Sequence, residues 1–442
     1  MAHRNQHQGR VRRRLTATET DFEVLVQRAA LVGVATGDAD VEEAEASLAE
    51  LAALADTAGA EVVFTMLQRR GTPDPATYIG KGKLDELVQM APGLDLDLVI
   101  FDDELTPAQL RNVEKEMKVD VVDRVALILD IFAQHATTRE GMLQVELAQL
   151  KYRLPRLRGR GVEMSRLAGG IGTRGPGESQ LEVDRRRIGR RIAHIERERV
   201  KLERTRATQR KARRRQGIPL LALVGYTNAG KSTLLNALTD AGVLTEHQLF
   251  TTLDPRVRKL RLLGGEEVLL ADTVGFVKKL PHDLVEAFRS TLEEVGDADL
   301  LLHVIDGSAH GVGRHLAAVR EVLVEIGADQ VPELFVVNKL DVAPPGVVEE
   351  VARLHEDVVG ISARTGEGVD RLLEAIARKL RSLMDIVELS VPWARGDILA
   401  GLHRDGEVLV ENHGPDAARV RARLPHDAVE RYAEWMVEKA AG

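Results

Sequence analysis

Gly225, Gly230, Lys231 and Ser232 stand in the pattern G-x-x-x-x-G-K-[ST]. The apolar run Leu220 to Val224 before them predicts a buried strand, and LLNAL after them predicts a helix. In such a turn the backbone N–H groups of Asn228, Ala229, Gly230, Lys231, Ser232 and Thr233 converge at the positive end of the helix. That concavity suits a di- or triphosphate. Gly225, Tyr226 and Thr227 form the rest of the loop. Lys231 would bridge the outer phosphates, and the Ser232 hydroxyl would hold Mg²⁺. The loop alone does not separate adenine from guanine nucleotides.

Four more clusters accompany it. The strand EVLLA leads into Asp272, Thr273, Val274 and Gly275. A carboxylate there can reach the Mg²⁺ shell, and the Gly275 N–H can meet a γ-phosphate. Between the two motifs lies FTTLDP, with Phe250, Thr251, Thr252, Leu253 and Asp254. A threonine hydroxyl from that loop would complete the metal sphere; Thr252 is the candidate, beside Ser232. After the strand LFVV come Asn338, Lys339, Leu340 and Asp341. The Asp341 carboxylate can accept from N1–H and N2–H₂ of guanine, a pair that adenine lacks. Lys339 would cover the base and Asn338 would tie this loop to the phosphate loop. Ser362, Ala363 and Arg364 follow VVGI and fit the last loop, against guanine O6. The ordered set specifies GTP far better than any one tetrapeptide. Lys231, Thr252 and Gly275 are expected to carry hydrolysis. Phe276 stands where Ras-type enzymes place a water-positioning glutamine, so slow intrinsic turnover is expected.

These motifs need a sheet to hold them. At 442 residues, two to four domains are expected. There is no cysteine, which excludes disulfides and thiolate catalysis. No apolar run is long enough to span a bilayer. The basic N-terminus lacks the apolar core of a secretory signal. The cytoplasm is therefore the expected compartment, with a membrane-associated fraction, and the expected state is a monomer. Residues 1–20 read as a disordered basic arm. Residues 21–135 alternate strand and helix, which predicts an N-terminal α/β domain with a mainly parallel sheet. Its strands are expected at Phe22 to Val34, Glu61 to Leu67, Leu98 to Phe101 and Val119 to Val122. A helix over Val41 to Ala58 would turn Leu48, Leu51 and Leu54 to one face. Within this domain TYIGKGKL, Thr77 to Leu84, reads equally as an anion nest or as a tight turn. Asp102, Asp103 and Glu104 could bind a metal, although a solvated acidic turn is the favoured reading.

Residues 136–216 are strongly basic. From Lys151 to Arg215 there are 22 Lys/Arg against 7 Asp/Glu, inside a chain of net charge −8. Leu181, Ile188, Ile192, Ile195 and Leu202 are spaced for a partner helix. The expectation is a helical hairpin with a Gly/Arg tip, bound to nucleic-acid phosphate. Residues 217–384 hold the nucleotide motifs. Residues 385–442 read as a small α+β domain ending in the helix AVERYAEWMVEK, with Trp393 and Trp435 as packing residues.

Taken together, YIGKGK, TREG…LQVELAQLKY, GGIGTRGPGES, GYTNAGKST, FTTLDP, DTVGF and NKLD make the chain resemble the HflX family of translational GTPases, in the Obg–HflX group. Departures are slight: Ser179, Thr251 and Arg364 stand where Thr, Ala, and Lys or Gln are usual. The resemblance implies a multidomain α/β protein with a Ras-like G domain. It further implies binding to the 50S subunit and the 70S ribosome, through ribosomal RNA, and either splitting of stalled ribosomes or a part in subunit biogenesis. It would direct the Gly169 to Gly177 loop toward the peptidyl transferase region. Some members are credited with ATP binding and RNA remodelling through the N-terminal domain. In this chain TYIGKGK, with Lys81, would serve that activity.

Overall fold

Short branched-apolar runs with turn residues between them become parallel strands, because each helical return buries one sheet face. The computed structural model describes residues 26–37, 41–157, 180–215, 218–239, 249–250, 256–279, 292, 294–309 and 311–439. Contacts divide the chain into two units. One comprises Met1–Val200, Glu246–Asp254 and Val277–Arg289; the other comprises Lys201–Thr245, Pro255–Phe276 and Ser290–Gly442.

The first unit is built on β1 (Arg28–Ala35), β2 (Glu61–Arg69), β3 (Leu98–Phe101) and β4 (Asp120–Asp123), in the order β2-β1-β3-β4. All pairings are parallel. The returns are α1 (Val41–Thr57), α2 (Lys81–Leu94) and α3 (Pro107–Met117), followed by α4 (Arg124–His135) and α5 (Arg139–Arg156). Leu48, Leu51 and Leu54 of α1 are all buried, as their spacing predicts. The first strand begins at Arg28, and residues 22–25 of its expected span lie outside the described residues. Helix α3 starts on a capping box between Thr106 and Gln109, with Pro107 at its first position. Asp123 caps α4 through the Ala126 N–H and also accepts from the Leu105 N–H and the Tyr152 hydroxyl. Burial raises its pKa.

The 36-residue α6 (Gln180–Arg215) carries the basic block. Arg191 clasps Glu146 of α5 with two bonds of 2.6 Å, and Arg139 of α5 reaches Glu198 at 3.1 Å. Ile195 is buried, while Ile188, Ile192 and Leu202 are half-buried. The expected tip, with Ser179, and the side chain of Leu181 lie outside the described residues.

In the first unit one open reading is decided and one expectation is corrected. In TYIGKGKL the Gly80 N–H donates to Gln68 Oε1 at 2.8 Å, Tyr78 N–H to the Asp74 carbonyl and Ile79 N–H to the Thr77 carbonyl. Lys83 pairs with Glu86, and Lys81 is exposed at the start of α2. These amides are spent within the fold, which is the tight-turn arrangement. The solvated-turn reading fails at Asp102, which is 3% exposed and salt-bridged to the buried Arg124 at 2.8 Å, while Glu104 stays exposed. Glu104 pairs with Arg156 at 3.0 Å. Among the described residues no group of three or more His, Asp or Glu is placed to hold a metal ion.

The second unit contains a six-stranded sheet in the order β10-β9-β8-β5-β7-β6. Its strands are β5 (Leu220–Gly225), β6 (Arg256–Arg261), β7 (Glu267–Asp272), β8 (Leu300–Asp306), β9 (Glu333–Asn338) and β10 (Val358–Gly360). Only the edge strand β6 runs antiparallel. Leu234 and Leu235 of α7 (Lys231–Thr239) and Leu372 and Ile376 of α10 (Val369–Ser382) share one core with Leu221, Leu223 and Val336. Val347 and Val351 of α9 (Val347–Ala352) and Leu316 of α8 (Val312–Glu325) pack against Ile305 and Val337 in another.

A second, antiparallel sheet of this unit has the order β12-β13-β11-β14, from β11 (Asp385–Pro392), β12 (Glu407–His413), β13 (Ala417–Leu424) and β14 (Met436–Lys439). The helix α11 (Gly396–Asp405) was not anticipated. The expected final helix is also corrected: it shrinks to α12 (His426–Val429) and a 3₁₀ turn (Glu430–Trp435), and its end becomes β14 beside β11. Trp435 packs on this core, but Trp393 is 42% exposed, with its indole N–H on the Gly414 carbonyl. Among the described residues no helix is long and apolar enough to cross a membrane.

Candidate nucleotide site

The phosphate loop begins where β5, buried along its whole length, runs out at Gly225. Gly225 has φ +151°, and a Cβ there would lie 2.2 Å from the Val304 carbonyl oxygen of β8. Asn228 turns through φ 58°. Gly230 follows at φ +93°, and its Cβ would lie 2.3 Å from Asn338 Nδ2. Backbone conformation and close approach both demand glycine at 230. The N–H of Thr227 donates to the Phe276 carbonyl, and that of Phe276 donates to the Gly225 carbonyl, so the loop is sewn to the segment after Asp272.

Lys231 opens α7 and is 6% exposed. Its ammonium donates to the Gly225 and Tyr226 carbonyls, both at 2.9 Å. Burial pushes its pKa down to about 8, against the opposing pull of the Asp272 carboxylate. Ser232 Oγ donates to Asp272 Oδ2 at 2.9 Å. A hydroxyl and a carboxylate side by side are the hard oxygen donors that Mg²⁺ takes, so these two residues fit that ion. Thr273 is structural in its contact: its hydroxyl donates to the Leu223 carbonyl at 2.6 Å. Gly275 is pressed against the loop, where a Cβ would lie 2.8 Å from Thr227 Cγ2 and 3.2 Å from Lys231 Nζ. The Phe276 side chain is 1% exposed and offers no group for orienting water.

The base-side loops are knotted by Asn338, which is 2% exposed. Its Nδ2 donates to the Ala229 carbonyl at 2.8 Å and its Oδ1 accepts the Ala363 N–H at 2.9 Å. One amide thus joins three loops far apart in sequence. Asp341 Oδ1 accepts from Ser362 Oγ at 2.7 Å, and Arg364 pairs with the same carboxylate. The Ser362 hydroxyl bond, with Arg364 assisting, holds the Asp341 carboxyl below the usual range. Leu340 N–H donates to the Ile361 carbonyl. Lys339, at φ 65°, extends its ammonium to Asp306 Oδ2 at 2.6 Å.

Sequence reasoning passed over Asp306. The available signal was its place at the end of LLLHVID, the strand between the phosphate-loop strand and the NKLD strand. The loop Thr251, Thr252, Leu253 and Asp254 lies outside the described residues. Phe250 is a correction. Its ring is 3% exposed and meets Phe132 of α4 edge-on at 4.7 Å, within the first unit. It is a packing anchor, because an aromatic ring gains more from burial there than from contact with a charged ligand.

Three families match in succession: GTP-binding GTPase N-terminal over residues 45–133, GTP-binding GTPase Middle Region over 135–213, and 50S ribosome-binding GTPase over 220–339. The chain is 49% identical to the GTPase HflX of Caldanaerobacter subterraneus, covering 93% of this chain and 94% of that one. It is 43% identical to the GTPase HflX of Escherichia coli, over 82% and 84% of the two chains. Among solved structures, a GTP-binding protein from Sulfolobus solfataricus in complex with GDP is 26% identical, with 81% of this chain and 100% of that one covered and a TM-score of 0.43. With relatives this similar along nearly their whole length, and the phosphate and base loops assembled at the strand ends of one sheet, the chain belongs to the HflX family of GTPases.

Proposed function

We propose that this GTPase acts on the ribosome as a monomer in the cytoplasm, binding the 50S subunit and the 70S particle and splitting stalled particles in its GTP form. The observation that carries the reading is the exposed basic surface of α6. Arg185, Arg186, Arg187, Arg190 and Arg197 all face solvent there, in a block suited to RNA phosphate. The name 50S ribosome-binding GTPase for the family matched by residues 220–339 supports the same partner.

At the nucleotide, Asp341 would read guanine, Asn338 would hold the base loop on the phosphate loop, and Lys231 would swing from its two carbonyls onto the outer phosphates. Ser232, Asp272 and Thr252 would hold Mg²⁺, which supplies charge neutralisation between the β- and γ-phosphates. Gly275 N–H would meet the γ-phosphate. Water attacks the γ-phosphorus, the bond to the β-phosphate oxygen breaks, and GDP and phosphate leave. Phe276 leaves the attacking water without a side-chain partner, so turnover depends on what the ribosome contributes.

Sedimentation of 70S particles with the protein and a non-hydrolysable GTP analogue tests this reading. Subunits should separate with the analogue and not with GDP. Replacing Arg185, Arg186 and Arg187 by Gln should cut ribosome affinity by about tenfold or more, and the logarithm of affinity should fall linearly with the logarithm of salt. Binding to 50S without any splitting would instead indicate an assembly factor.

A further inference from the structure

The first unit contains Val277–Arg289, the stretch that begins two residues after Gly275. Its described part ends in Lys278 and Lys279, and both are held. Lys279 Nζ lies 2.7 Å from Asp102 Oδ2 and 2.5 Å from Asp103 Oδ1. The Lys278 ammonium pairs with Glu43, and its carbonyl accepts from Arg124 Nη1 at 3.3 Å. The carboxylates are themselves fixed: Asp102 accepts from Ser47 Oγ and Arg124, and Asp103 accepts from the Tyr78 hydroxyl. The receiving crevice is lined by Thr36, Glu43, Tyr78, Asp102 and Asp103. It lies outside the carboxyl ends of β1 and β3, where the strand order β2-β1-β3-β4 reverses direction. Open parallel sheets bind their ligands at that position. Here the crevice holds two lysines of its own chain.

Lys279 also adopts φ 58°, a left-handed backbone that costs a residue with a Cβ free energy. A second anchor lies nearby in sequence to the other candidate loop. Phe250 is packed on Phe132, and the Leu249 N–H donates to Thr57 Oγ1 at 3.2 Å, again within the first unit.

We propose that Lys278 and Lys279 are positioning residues for GTP hydrolysis. They form a latch on Glu43, Asp102 and Asp103 that restrains the segment following Gly275, and the chain turns GTP over slowly while the latch is closed. This rests on the reading of Gly275 as the γ-phosphate contact. Drawing Gly275 onto that phosphate pulls the residues three and four positions on, so latch and γ-phosphate compete for one stretch of backbone. The strain at Lys279 favours release once the ion pairs part.

The test uses the full chain, with Lys279→Gln and Asp103→Asn made singly and together. Asp103 and Lys279 are each about one-third exposed, so neither change empties the core. Lys279→Gln should raise basal kcat about fivefold, the effect of a modest coupling free energy, with KM for GTP unchanged. The double variant should match the Lys279→Gln single, because that change already removes the contact with Asp103. A carbodiimide, which joins a lysine to a carboxylate in direct contact, should link Lys279 to Asp103 with GDP bound and much less with a GTP analogue. Unchanged or lowered kcat, additive effects in the double variant, or a cross-link indifferent to the nucleotide would each overturn the latch. Gly275→Ala separates the two ideas. If it abolishes discrimination between GTP analogue and GDP while Lys279→Gln changes nothing, the γ-phosphate reading stands and the latch alone fails.

Discussion

Two side chains at the nucleotide site have chemistry that pH or base identity can expose. The Lys231 ammonium is buried, and its pKa is pushed down to about 8 from an ordinary 10.5. Between these values the unfolded chain binds more protons than the folded one. Stability of the ligand-free protein therefore rises with pH through that window, and at neutral pH the buried charge costs free energy. In the proposed reading phosphate would pair with the ammonium, so above pH 8 the protein would take up a proton as it binds. Affinity for GDP should then weaken, by up to about tenfold per pH unit, and titration calorimetry in buffers of different ionisation heat should register the uptake. Lys231→Met should bind weakly at every pH and show no such slope. In the proposed reading Asp341 would recognise the base through acceptors alone. Asp341→Asn replaces one acceptor by a donor, which mismatches guanine N2–H₂ and matches the C2 carbonyl of xanthine. Competition binding should show guanosine diphosphate weakened by about a hundredfold and xanthosine diphosphate gaining on it.

The elements of the first unit depend on one buried cation. Arg124, at the start of α4, bonds Asp102 of the β3 end and both the carbonyl and the hydroxyl of Ser47 in α1. It also reaches Glu50 at 3.2 Å. Burial works against the Asp102 carboxylate, but Arg124 and Lys279 outweigh it and hold its pKa below the ordinary value. That stabilisation is complete above an ordinary aspartate pKa near 4 and is lost as pH falls through the lower folded value. Arg124→Leu leaves the buried Asp102 carboxylate with Lys279 as its remaining cation and takes a partner from Glu50. It should cost about 3 kcal/mol, read as faster amide exchange in β3 and α4, and it should flatten the acid limb of the wild-type stability profile.

At the scale of the whole chain, what was legible in sequence was whatever short-range pattern decides. The G-x-x-x-x-G-K-S turn, DTVG and NKLD each sit at a strand end because an apolar run precedes them. Leu48, Leu51 and Leu54 announced their own burial by spacing. Most of the misreadings involve partners distant in sequence. Asp102 looked solvated because nothing near it in sequence reveals Arg124, 22 residues on, or Lys279, 177 residues on. Phe250 was read with its neighbours in FTTLDP, yet its ring is claimed by Phe132. The stretch AVERYAEWMVEK has helical composition, but an open edge of β11 takes its last residues as a strand. Gly396 and Gly401 hid α11 by weakening its helical signature.

Both tryptophans of the chain, Trp393 and Trp435, fall in the β11–β14 sheet or its connections. Ultraviolet emission excited at the indole band is therefore a private signal of that one sheet. A shift in it on adding nucleotide would report motion more than fifty residues along the chain from the NKLD loop that ends at Asp341.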